Sequence, residues 1–166
     1  MVQHRRVLAN GRSSGELLPK AKKVMGPPKG GPWTFHTRRM LTSPAWKALG
    51  INARRFLDFL EIDHMNHGGV ENGNLMATYD QLHQYGISRD QICPAIEQTI
   101  ALGFVRRTSP RVERVPMTYR LTYHGTISDD GLALQPSNEW KSLDEKSAKV
   151  AKEKARRKRK KNSAGT

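Results

Sequence analysis

The 166-residue chain is only 36% hydrophobic and carries a formal net charge of +14. Part of it therefore lies outside any core, and the charge calls for an anionic partner: nucleic acid, a membrane surface or an acidic protein. A single cysteine, Cys93, excludes an internal disulfide framework, no apolar run approaches the ~20 residues of a membrane span, and none follows the basic first residues as in a signal peptide, so a cytoplasmic protein is expected.

The charge is concentrated at the ends. Residues 1–40 hold nine Lys/Arg against one acid, and 141–166 hold eleven against three. Residues 41–140 hold nine against eleven. That division predicts a basic, disordered arm over 1–32, a near-neutral domain over 33–140 and a basic tail over 141–166. Within the arm, Gly26-Pro27-Pro28-Lys29-Gly30-Gly31-Pro32 fits neither a helix nor a central strand. Trp33 and Phe35 are expected to pin its end to the domain.

Ser43-Pro44 reads as an N-cap followed by proline at the first helical position. That short helix ends near Gly50. Asn52 is placed to cap a longer one running to about Met65, with Ala53, Phe56, Leu57 and Leu60 inward and Arg54, Arg55, Asp58 and Glu61 outward. His67-Gly68-Gly69 stops it. Leu75-Met76-Ala77 is long enough for one short strand. Thr78 with Gln81 matches a capping box, and so does Ser88 with Gln91 ten residues later. Between these two helix starts, Gly86 can take the left-handed conformation a sharp turn needs. The second helix runs from Ser88 to about Leu102, with Ile92, Ile96 and Thr99 on one face and Pro94 inside.

After Gly103 the period changes to two. Residues 104–108 and 117–123 read as the strands of a hairpin, joined by a proline-bounded basic loop. Residues 125–137 read as turns, and Ser137-Asn138-Glu139-Trp140 starts a short helix that folds Trp140 back onto the domain. From Lys146 to Lys161 the chain is nearly all Lys, Arg and Ala. It has helix propensity without an apolar face, which predicts disorder in the free protein.

The segment from Thr78 to Ile92, with Leu82, Gly86-Ile87-Ser88 and Arg89, resembles the helix-turn-helix core of bacterial winged-helix regulators. Leu102-Gly103-Phe104-Val105 is similar to their passage from recognition helix to wing. Residues 41–140 as a whole resemble a group of uncharacterised bacterial helix-turn-helix proteins. The resemblance implies a mainly α fold with a small β-hairpin, an α+β winged helix-turn-helix, which the composition flanks with disordered basic tails. It implies double-stranded DNA as partner, a role in transcription and a place with the nucleoid, and no catalysis or cofactor.

In such a domain the early residues of the second helix face base edges. Here those are Ser88, Arg89, Gln91 and, further on, Gln98; Arg suits guanine and Gln adenine. The hairpin offers Arg106, Arg107, Arg111 and Arg114 to phosphates, and the tail offers Arg156, Arg157, Lys158 and Arg159. A homodimer would raise specificity, although no dimerisation segment stands out. His64, His67, His83 and Cys93 lack the spacing of a zinc site, so no metal is expected. Tyr119, Tyr123 and Trp140 are expected in the core. Other readings share these features: a replication or mobile-element accessory protein, a protein-binding winged helix, or an RNA-binding protein.

Overall fold

The computed structural model describes residues 31–110, 115–128 and 130–163. The basic arm over 1–32 lies almost wholly outside the described residues. Residues 1–33 and 34–166 form separate units. Trp33 falls in the first; Phe35 meets the domain, its ring edge-on to His124 at 5.7 Å.

In chain order the domain comprises α1 (Arg38–Leu41), α2 (Pro44–Ala48), α3 (Ile51–Asn66), β1 (Leu75–Met76), α4 (Tyr79–Gln84) and α5 (Arg89–Ala101). Strands β2 (Val105–Arg107), β3 (Thr118–Leu121), β4 (Thr126–Ile127) and β5 (Ala133–Leu134) follow, then a 3-10 turn (Glu139–Ser142) and α6 (Glu145–Ser163). It is an α+β fold, roughly half helical with a small antiparallel sheet. Strand β3 lies between β1 and β2, with Leu75 opposite Tyr119 and Val105 opposite Leu121.

Local chemistry explains most of these boundaries. Ser43 Oγ accepts from Trp46 N–H at 3.1 Å, and Pro44 opens α2. The Thr78 capping box forms in full, with Gln81 N–H donating to Thr78 Oγ1 and Thr78 N–H to Gln81 Oε1. Gly86, at φ +100°, makes the reversal into α5. Ala53, Phe56, Leu57 and Leu60 from α3 close the core with Leu75, Leu82, Ile87, Ile92, Ile96 and Tyr119. Tyr123 and Trp140 are buried as expected, and Trp140 stacks on Phe104.

Five expectations are corrected. Helix α3 starts two residues earlier than Asn52 as a cap would allow: Gly50 is its N-cap, and Asn52 lies within the helix. Glu61 is not on the solvent side but buried, bonded to His36 at 2.6 Å and Tyr123 at 2.5 Å. Ser88 is the N-cap of α5 but makes no side-chain capping bond: the Gln91 N–H donates to the Ser88 carbonyl at 2.8 Å, and the Gln91 side-chain amide to Asp90. The turn-rich stretch 125–137 contains the two-stranded hairpin β4–β5.

The largest correction concerns the tail. It is not disordered: α6 is a 19-residue helix packed against α5 and α2. Ala148, Ala151 and Ala155, spaced by three and four, make the contact face. An alanine stripe is a faint apolar signal in a sequence because alanine removes little surface from water. On a helix it serves another purpose, letting the backbone approach its neighbour closely. The domain therefore extends past residue 140.

Candidate nucleic-acid interface

Helices α4 and α5 meet across a turn held from three sides. Ile87, Leu82 and Ile92 bury their side chains beneath it. Ile87 N–H donates to Leu82 O at 3.0 Å, a helix-terminating bond. From α3, Arg55 Nη1 donates to Gly86 O at 2.6 Å. That bond ties the turn between the two helices to α3. Its role escaped the sequence reading because a carbonyl 31 residues away leaves no local signal.

Helix α5 shows two outward faces. One carries Ser88, Arg89, Asp90 and Cys93, all exposed, and Glu97, half-buried. Arg89 pairs with Asp80 of α4 at 2.7 Å. Cys93 Sγ contacts the Tyr79 hydroxyl, and Glu97 pairs with Arg107 of β2. The other face, with Gln91, Pro94, Gln98 and Ala101, lies under α6.

The proposed site residues therefore divide. Ser88 and Arg89 stand at the exposed start of α5. Gln91 is half-buried and lines a cleft shared with α6. Gln98 is removed from the base-reading set: its Oε1 accepts from Gly50 N–H at 2.8 Å, so its side chain holds the start of α3. Arg106 pairs with Glu139 of the 3-10 turn at 2.6 Å, and Arg107 with Glu97. Arg111 and Arg114 lie outside the described residues. Arg156 is exposed on α6 and donates to Glu153 at 3.1 Å. Arg157, Lys158 and Arg159 follow along the same helix.

The ion pairs leave much of this charge usable. Arg89 is 61% exposed and Arg106 59%. Surface pairs of this kind contribute ~0–1 kcal/mol, so a phosphate or a guanine edge can replace the carboxylate at small cost.

His64 and His67, one turn apart on α3, have different surroundings. His64 is buried with its ring 5.0 Å from that of His124. His67 is exposed and bonded to Asp63 O at 2.8 Å. No described helix is long and apolar enough to cross a membrane.

The α+β class is as far as the fold alone defines the protein. No protein-family model, curated protein or solved structure matches the chain.

Proposed function

We propose that the chain is a duplex-DNA-binding protein with a winged-helix plan, acting as a transcriptional regulator rather than an enzyme. One observation carries the reading. Helix α4, opened by a full capping box, meets α5 at Gly86, and a hairpin whose β3 strand pairs with β1 in the order β1-β3-β2 follows at once. That arrangement leaves the start of α5 exposed, and an arginine-bearing hairpin pairs with the same helix through Arg107 and Glu97. A helix with its side chains fits the ~12 Å major groove.

In this reading Ser88 and Arg89 approach base edges. Arg106 and Arg107 exchange their carboxylates for phosphates, and α6 contributes the bulk of the attraction. A selection from randomised duplexes, with structured RNA as competitor, tests it. A common enriched sequence is expected, and Arg89→Ala should lose preference at one or two base positions while folding normally. No enrichment, or displacement by the RNA, would overturn the reading.

A second reading is favoured by the charge balance on α5. Its exposed face pairs Arg89 with Asp80 and Arg107 with Glu97, and is close to neutral. Such a surface suits a protein partner. If that were its use, Arg89→Ala would leave the duplex selection unchanged while weakening a protein complex.

A further inference from the structure

We propose that α6 is a positioned phosphate-binding element, gripping the backbone of the same duplex that α5 faces; this rests on the DNA-binding reading above. Its docked geometry carries the inference. Helix α6 returns along α5: Lys146, Ser147 and Val150 share a cleft with Ile100 and Ala101 near the end of α5. Further along, Lys152 and Arg156 share a second cleft with Gln91 and Pro94, nearer its start. The alanine face holds α6 in this place, and Lys152 and Arg156, four residues apart, lie on one side of it.

This second cleft has the chemistry of a phosphate seat. It encloses about 250 Å³ between α3, α5 and α6, and Gly50, Asn52, Gln91, Gln98, Lys152 and Arg156 are among the residues that line it. Two cations and three side-chain amides face one space, and the described lining residues include no carboxylate. Arg156 also donates to Glu153, but with 69% of its side chain exposed it can turn to a stronger anion. A free basic tail would add attraction without regard to position. A docked helix instead holds Lys152 and Arg156 at a set distance from α5.

Salt-dependent binding of the full-length protein to a short duplex separates these cases. Lys152→Gln with Arg156→Gln should lower the slope of log K against log salt by roughly 2. It should weaken binding about tenfold near 0.15 M salt. Lys146→Gln with Lys149→Gln removes equal charge from the same helix away from the cleft, and should weaken binding much less. Ala148→Gln with Ala155→Gln keeps the net charge but loosens the dock, which faster tryptic cleavage within 145–163 would report. It should weaken binding as the first pair does. Equal effects from the two charge pairs would overturn the proposal, as would wild-type binding by the loosened variant. If that variant remains docked or fails to fold, the charge pairs decide alone. Displacement of the duplex by phosphatidylserine vesicles at equal phosphate would also overturn it. Wild-type protein indifferent to the duplex would instead remove the DNA reading itself.

Discussion

Asn72 shows how one buried side chain can organise a fold whose sequence signal is only a turn. Its Nδ2 donates to the carbonyls of Leu121, His124 and Gly125 at 2.9–3.1 Å, and its Oδ1 accepts from Leu121 N–H at 2.8 Å. The residue thereby caps the end of β3 and ties it to the loop before β1. Polar groups with so many bonds are costly to remove, because each former partner remains buried and unpaired. Asn72→Ala should destabilise the domain by roughly 3 kcal/mol or more, measured as a lower urea midpoint at unchanged m-value. Arg55 and Gln98 belong to the same kind. Each is a long polar side chain that the sequence assigns elsewhere, Arg55 to solvent and Gln98 to base edges, and that the fold uses to bond a distant backbone group.

Elements meet with equally specific demands. Gly103 ends α5 at φ +73°, and a Cβ there would lie 2.7 Å from Trp140 N and 2.9 Å from Glu139 C. Both opposing atoms are backbone, so they cannot turn aside. The glycine is thus required twice, for its left-handed conformation and for the close approach of the 3-10 turn. Gly103→Ala should cost more than the ~1–2 kcal/mol of the left-handed conformation alone. A thermal unfolding midpoint several degrees lower would record it. Helix α6 makes the complementary point: its alanines earn their place through what they allow to come near. Its composition announced a helix former, but only the groove between α5 and α2 gave that helix somewhere to lie.

Across the whole molecule, a polar cluster joins segments far apart in the chain. Glu61 of α3 accepts from Tyr123 and His36, while His124 lies against His64, Phe35 and Thr34. Its histidines titrate in opposite senses. The hydrogen bond to Glu61 raises the pKa of His36 above its usual 6.5, so its contribution to stability is full below 6.5 and fades as pH rises through the raised value. Burial, aided by His64, lowers His124 to about 4. Its contribution is present above 6.5 and is lost as pH falls toward 4, because the unfolded chain binds that proton first. Thermal stability should therefore decline on both sides of a maximum at or just above pH 6.5. His124→Leu should flatten the acid limb and His36→Asn the alkaline one. His64, also lowered by burial, shares the acid limb, so an acid limb left unchanged by His124→Leu would refute this assignment.

Much of the architecture could be read from neighbours three and four residues apart. Ser43-Pro44, the Thr78–Gln81 box, Gly86 and the apolar spacing of Phe56, Leu57 and Leu60 act locally, so their outcome is written beside them. The same holds for Ser88 and Arg89 standing at the exposed start of α5. What Glu61, Gln98, Arg106 and the carboxyl-terminal helix do was decided elsewhere, by His36, Gly50, Glu139 and the groove on α5. A long polar or charged side chain has no preferred partner until packing brings one within reach, and an alanine face has no meaning until another surface fits it.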